Sequence, residues 1–187
     1  MKNILILILV VVFASCEQES ENSTLPGRYK IVSIESGTAV DLNNDGTKST
    51  DLYLEISEPF KTLSGENISF YDFNAIQNLA EVKGVANNGA SGLIDFRLPK
   101  QQISNLSDDD WFLMWYDHGM INCSYSKKRN NLSVDYYHGG FDEGVTLHNV
   151  EILSNSNVSL SITQKLFDFS EKVWIEADLV IEYQKIN

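Results

Sequence analysis

The C-terminal segment constrains the fold most strongly, because apolar residues occupy every second position along it. They are Val173, Ile175, Ala177, Leu179, Ile181 and Tyr183. Successive side chains of a β-strand point to opposite faces of a sheet, whereas an amphipathic helix needs apolar residues three or four positions apart. The segment therefore predicts a long β-strand with one buried face.

Hairpin signals divide the preceding part of the chain into further strands. The dipeptide Asn88-Gly89 stands before an alternating segment at 93–98, and Asn-Gly is a strong signal for a tight hairpin turn. Residues 145–153 and 158–167 flank a short polar stretch and predict a second hairpin.

One segment, residues 51–57, departs from this strand pattern. It predicts a short helix or turn with Ser49 or Thr50 as N-cap, although a strand fits almost as well. No series of amphipathic helices accompanies it. We therefore expect an all-β fold, a single antiparallel β-barrel with at most one or two short helices, and a β-sandwich as the alternative.

The N-terminus has the pattern of an export signal. Lys2 precedes an unbroken apolar run at 4–13, and small residues follow. The run is shorter than the roughly 20 residues that a membrane-spanning helix needs, so residues 1–15 predict a signal peptide rather than a retained anchor.

The exit of that signal resembles the lipobox of bacterial lipoproteins. It reads Phe13-Ala14-Ser15-Cys16. The resemblance implies cleavage before Cys16 and acylation of that cysteine, for example by palmitate. Several buried acyl chains hold a protein on a membrane, at about 0.8 kcal/mol per CH₂ group. We therefore expect a lipid-anchored protein of the outer membrane or cell surface.

The next residues, 16–24, are polar and acidic, with Glu17, Glu19 and Glu21 among them. They predict a flexible tether, and they also resemble the surface-export tags of Bacteroidetes lipoproteins. Lys2 is the only charged residue among residues 1–15, so removal of this segment changes the net charge from −12 to −13. Such an acidic chain repels phosphate backbones, which argues against nucleic acid as a partner.

Loop 41–51 has the opening spacing of a calcium-binding loop. Asp41, Asn43 and Asp45 alternate before Gly46, and the Thr47 carbonyl would be the next ligand. The twelfth position is Leu52, so the closing ligand is Asp51, Glu55 or a residue from elsewhere. The alternative is an Asx-rich turn whose side chains bond their own backbone.

Aromatic residues gather in two stretches of the chain. They are Trp111, Trp115, Tyr116, Tyr136 and Tyr137. Trp111, Leu113 and Trp115 share one face if the segment is extended, and residues 117–119 are predicted to turn the chain. These aromatics serve either as core or as a platform for a sugar or an apolar ligand at a barrel mouth.

No catalytic pattern stands out in the sequence. Cys16 and Cys123 are the only cysteines, and Cys123 lies in a strand-like context that predicts a small buried side chain. The three histidines have no spacing typical of a zinc site, and no Gly-x-Ser-x-Gly motif is present. We therefore expect a protein that binds rather than catalyses.

Residues 27–29, Gly-Arg-Tyr, resemble the Gly-x-Trp start of lipocalin-type barrels, with tyrosine in place of tryptophan. With the lipobox, the acidic tether and the Asp41 loop, they make the chain similar to lipocalin-like lipoproteins of Bacteroidetes. The resemblance implies a lipocalin-like barrel over residues 25–187 that binds a small apolar ligand or a glycan. The alternative function is a surface glycan-binding accessory protein of a polysaccharide-uptake system.

Overall fold

The computed structural model describes residues 25–62, 64–68, 80–86, 91–107, 110–128, 131–136, 144–153 and 157–186. The described strands are β1 (Gly27–Val40), β2 (Ser49–Asp51), β3 (Phe60–Lys61), β4 (Asn67–Ile68), β5 (Ala80–Ala86), β6 (Ser91–Ser107), β7 (Asp110–Lys128), β8 (Asn131–Tyr136), β9 (Val145–Ile152), β10 (Val158–Asp168) and β11 (Val173–Ile186). A short helix, α1 (Leu52–Ser57), follows β2.

Eight of these strands form one antiparallel sheet in the order β8-β7-β6-β5-β1-β11-β10-β9. The sheet curls until β8 lies beside β9, so the barrel is nearly closed. Strand β2 pairs with β1 off this path, and β3 and β4 form a separate two-stranded ribbon. The expected all-β antiparallel barrel is confirmed.

Strand β11 shows why these residues form a barrel wall. The inward positions Ala177, Leu179, Ile181 and Tyr183 are all buried, whereas the outward-facing Val180 is 45% exposed. Burying each of the larger apolar side chains contributes roughly 1.5–3 kcal/mol. The predicted long strand with one buried face is confirmed.

Strands β6 and β7 form the longest hairpin, and here one prediction is wrong. Residues 117–119 do not turn the chain, because β7 runs through them. The pairing shifts between Arg97↔Met120 and Leu98↔His118, which leaves Gly119 as an extra residue. A β-bulge of this kind accommodates one residue without ending the strand.

Helix α1 packs against β1 and faces the barrel interior. Its N-cap is Asp51, whose Oδ1 accepts a hydrogen bond from the Leu54 backbone N–H at 3.1 Å, so the predicted caps Ser49 and Thr50 are wrong. Leu52 and Ile56 are buried, and Leu54 on the other side is 50% exposed. The helix therefore covers the interior with its apolar side.

Two glutamines cross the barrel interior between β6 and β10. Gln101 exchanges two hydrogen bonds with the backbone of Phe167, and Gln164 Nε2 donates to the Pro99 carbonyl at 3.0 Å. Both side chains are buried. The two strands stand four places apart in the eight-strand order, so these bonds join opposite walls.

Candidate functional site

Asp41 is the buried anchor of the loop between β1 and β2. It is 0% exposed, and its Oδ2 accepts from the Gly46 backbone N–H at 3.1 Å. Its carbonyl accepts from the Phe169 N–H at 2.9 Å. Its other carboxylate oxygen, Oδ1, is buried and has no hydrogen-bond partner among the described residues. A buried polar atom in this condition is costly and needs an explanation.

Asn43 and Asp45 shape the loop through Asx-turns. Asn43 Oδ1 accepts from the Asp45 N–H at 3.0 Å, and Asp45 Oδ1 accepts from the Thr47 N–H at 2.6 Å. Asn43 is buried and donates through Nδ2 to Glu58 Oε2 at 3.1 Å. These turns agree with the predicted Asx geometry and bring Asp41, Asn43 and Asp45 into one tight loop.

Glu55 of α1 reaches back to the same loop. It is only 5% exposed, and its Oε2 accepts from the Leu42 backbone N–H at 2.9 Å. Burial raises the pKa of Glu55 to about 7, with the negative charges of Asp41 and Asp45 adding to the rise and the N–H groups of Leu42 and Asn43 opposing it. The carboxylate thus lies against the loop that sequence spacing had singled out.

The charges around Asp41 are unbalanced. Burial raises the pKa of Asp41, and the charges of Asp45 and Asp168 raise it further, while the backbone N–H groups of Gly46 and Asn44 oppose the rise. Lys48 lies near this cluster, but its Nζ pairs with Asp168 Oδ2 at 2.9 Å and with Glu171 at 3.0 Å.

Asp51 takes a different role from its predicted neighbours in the loop. Its carboxylate caps α1, as described above, and so serves the helix. Across the described ranges, no three or more His, Cys, Asp or Glu side chains lie close enough together to hold a metal ion. A cation here would therefore need amide, carbonyl or water oxygens as well.

A small apolar cavity lies between α1 and the barrel wall. It is lined by Ile34, Leu52, Ile56, Leu166, Leu179 and Ile181, with Pro99 and Gln164 at one side. As it stands, the cavity has room for about one water molecule. Its apolar lining places it among sites that favour hydrocarbon over water.

Four predicted aromatic residues lie on described strands, and Tyr137 lies outside the described residues. Trp111, Trp115 and Tyr116 belong to β7, where they pair with Asn105, Gln101 and Lys100 of β6, and Tyr136 ends β8 opposite Cys123. The fold thus brings Tyr136 and the Trp111–Tyr116 stretch onto neighbouring strands.

Cys123 is a buried free thiol on β7. Burial, with the charge of Asp95 in addition, raises its pKa to about 11. A thiolate is the reactive form of cysteine, so this environment suppresses reactivity. The predicted small buried side chain is confirmed at this position.

A hydrogen-bonded chain on the outer surface involves His148, Thr163 and Asp178. The Thr163 hydroxyl donates to Asp178 Oδ1 at 2.5 Å, and His148 Nε2 lies 2.6 Å from the same hydroxyl oxygen. Because the single hydroxyl proton goes to Asp178, His148 must donate to Thr163. In a Ser-His-Asp triad the histidine instead stands between hydroxyl and carboxylate and accepts the hydroxyl proton.

Cys16, the predicted signal peptide and the tether lie outside the described residues. In the part of the chain that the structure describes, no helix is long and apolar enough to cross a membrane. Sequence reasoning missed Gln101 and Gln164, which read as surface residues because glutamine is mostly exposed. Their positions on β6 and β10, in phase with apolar inward neighbours, were the only available signal.

The chain was also compared with known proteins. It matches no protein-family model, no curated protein and no solved structure.

Proposed function

We propose that this chain is a membrane-anchored bacterial lipoprotein whose β-barrel binds a small apolar ligand and carries out no catalysis. The apolar cavity beneath α1 is the observation that carries the proposal. Eight-stranded barrels have interiors that side chains just fill or that hold one small ligand. The cavity marks the point where this interior is incompletely filled.

Helix α1 is the element that controls access to the cavity. Leu52 and Ile56 close it from above, and the helix has only six residues. Glu55 attaches the helix to the loop after β1 through the Leu42 N–H. A ligand larger than water enters by displacing this short helix, which exposes the buried side chains of Leu52 and Ile56.

The membrane anchor is supported by the lipobox resemblance at Phe13–Cys16 and by the acidic tether behind it. Acyl chains on Cys16 would hold the barrel at the outer membrane or cell surface without a spanning helix. An anchored barrel with an apolar cavity suits the capture of small apolar molecules near a membrane.

The binding test uses residues 24–187 and the fluorescent apolar probe N-phenyl-1-naphthylamine. Leu52→Phe fills the cavity from α1, and Leu54→Phe adds the same group on the exposed side of the same helix. We expect wild type and Leu54→Phe to bind the probe equally, and Leu52→Phe to bind at least about tenfold more weakly. This corresponds to 1.4 kcal/mol or more.

Absence of probe binding by the wild type contradicts the apolar-ligand proposal, as does equal binding by both variants. Thermal melting checks that Leu52→Phe is folded, since overpacking costs about 1–3 kcal/mol. The glycan-binding alternative stays a prediction. Wild-type binding to a glycan array, lost in Trp111→Ala or Trp115→Ala, would favour it.

A further inference from the structure

We propose that the loop after β1, together with Glu55 of α1, binds one Ca²⁺ ion that stabilises the fold. The ligands are the side chains of Asp41, Asn43, Asp45 and Glu55, with the Thr47 carbonyl and water. The three carboxylates do not already surround one point, so the ion would draw Asp45 and Glu55 toward the carboxylate of Asp41. The site is separate from the apolar cavity and goes beyond the proposed function. Its new element is Glu55, which takes the closing role that sequence spacing left open.

The first observation is the unpartnered oxygen of Asp41. The residue is fully buried, and its Oδ2 is held by the Gly46 N–H, which fixes the orientation of the carboxylate. Its Oδ1 is enclosed yet accepts no hydrogen bond from any described residue. Burying a carboxylate oxygen without a partner is unfavourable, and coordination of a cation supplies the missing partner.

The second observation is the lack of positive charge. Among the described residues, Asp41, Asp45 and Glu55 form no ion pair, and the nearby Lys48 is paired with Asp168 and Glu171. Three carboxylates that act on one another without a counter-charge repel each other. A divalent cation placed among them turns this repulsion into attraction.

The third observation separates Glu55 from Asp51 as closing ligand. Asp51 Oδ1 accepts from the Leu54 N–H and begins α1. Glu55 stands in the first turn of that helix, and its Oε2 bonds the N–H of Leu42, the residue between Asp41 and Asn43. The carboxylate of Glu55 therefore contacts the loop, whereas the carboxylate of Asp51 is used in capping the helix.

The ligand chemistry indicates calcium among common cations. The candidate ligands are all oxygen atoms, which suits Ca²⁺ and excludes a typical zinc site. Ca²⁺ accepts six to eight oxygens in flexible geometry, whereas Mg²⁺ demands near-ideal octahedral coordination. Because carboxylates alone do not complete the site, we expect a Kd of about 10⁻⁴ to 10⁻³ M, the range of many extracellular modules.

The full chain, purified in detergent, is titrated with CaCl₂ in a calorimeter, which gives the Kd and the number of ions bound. Its melting temperature is then measured in Ca²⁺ and in EGTA. Wild type should bind one Ca²⁺ and melt about 5–10 °C higher at a hundredfold excess over Kd. The matched variants are Glu55→Gln and Asp51→Asn, since each changes one carboxylate into an amide of equal size. Asparagine caps helices as well as aspartate does.

We expect Glu55→Gln to lose at least about tenfold in Ca²⁺ affinity and Asp51→Asn to keep the wild-type response. Asp45→Asn, at an exposed position, should also lose the response without affecting the core. If the wild-type protein releases no heat on titration with calcium and melts at the same temperature in Ca²⁺ and EGTA, the proposed site is wrong. A response that survives in Glu55→Gln, or disappears in Asp51→Asn, overturns the assignment of Glu55.

Discussion

Gln101 on β6 holds the backbone of Phe167 on the opposite barrel wall through both atoms of its side-chain amide. Oε1 accepts from the Phe167 N–H at 2.7 Å, and Nε2 donates to the Phe167 carbonyl at 3.3 Å. Pairing of β10 with β9 ends at Gln164↔Val145, so the amide satisfies a stretch of β10 that β9 does not reach. The side chain thus substitutes for a missing strand partner.

Replacing this amide tests the connection between the walls. Gln101→Leu removes both hydrogen bonds to the buried Phe167 backbone, and each costs about 1–3 kcal/mol when it is lost. We expect a loss of about 2–4 kcal/mol in the free energy of unfolding, measured by urea denaturation. The control is Gln102→Leu at the neighbouring exposed position, which should change stability by less than about 0.5 kcal/mol. Equal effects of the two variants would contradict the cross-barrel role.

Asp168 gives a prediction about pH. Burial raises the pKa of this carboxyl, but hydrogen bonds from Lys48, Ser170 and Glu171 outweigh burial and hold its pKa below the usual value. A lowered folded-state pKa contributes stability that is present above the unfolded-state pKa and is lost as the pH falls through the folded-state value. This contribution should therefore be complete near neutral pH and should disappear once the pH falls below the lowered folded-state pKa.

The measurement compares Asp168→Asn with wild type by urea denaturation at several pH values. We expect the variant to be about 1.5–3 kcal/mol less stable at pH 7, because the buried Asp168 carboxylate loses its charge-assisted hydrogen bonds. The difference should shrink as the pH falls below about 4, the usual pKa of an aspartate. Glu171→Gln removes the exposed partner of the same lysine and should cost under about 0.5 kcal/mol. A difference that is independent of pH would argue against the ionic role of Asp168.

Cys123 should resist thiol reagents in the folded barrel. In residues 24–187 it is the only cysteine. Its pKa of about 11 leaves far less thiolate at pH 8 than an unfolded cysteine with a pKa near 8.5. We expect modification by Ellman's reagent to be at least about 100-fold slower in buffer than in 8 M urea. Similar rates in the two conditions would place Cys123 outside the core.

The β-barrel could be predicted because the alternation of apolar and polar residues that marks each strand is visible in short stretches of sequence. Leu179 and Val180 are adjacent and both apolar, yet the period-two pattern around them assigned Leu179 to the core. The structure buries Leu179 and leaves Val180 45% exposed. Residue Gly119 shows the limit of such reasoning. A glycine after Asp-His reads as a turn, and only pairing with a continuous β6 makes it a bulge inside one strand.

The candidate site was predicted in part, for a similar reason. Asp41, Asn43 and Asp45 are close in sequence, so their spacing alone indicated one loop. The contact of Glu55 with that loop depends on where α1 begins, which Asp51 decides as N-cap. The roles of Gln101 and Gln164 depend on contacts across the barrel, which no local pattern records.

The attachment of lipid to Cys16 is the most direct test of the proposed lipoprotein. Bacteria expressing the full chain are grown with radiolabelled palmitate, and the protein is isolated from membrane and soluble fractions. We expect label and membrane association in wild type and in Cys123→Ala, and the loss of both in Cys16→Ala. Label that persists in Cys16→Ala, or an unlabelled wild-type protein, would contradict the proposal.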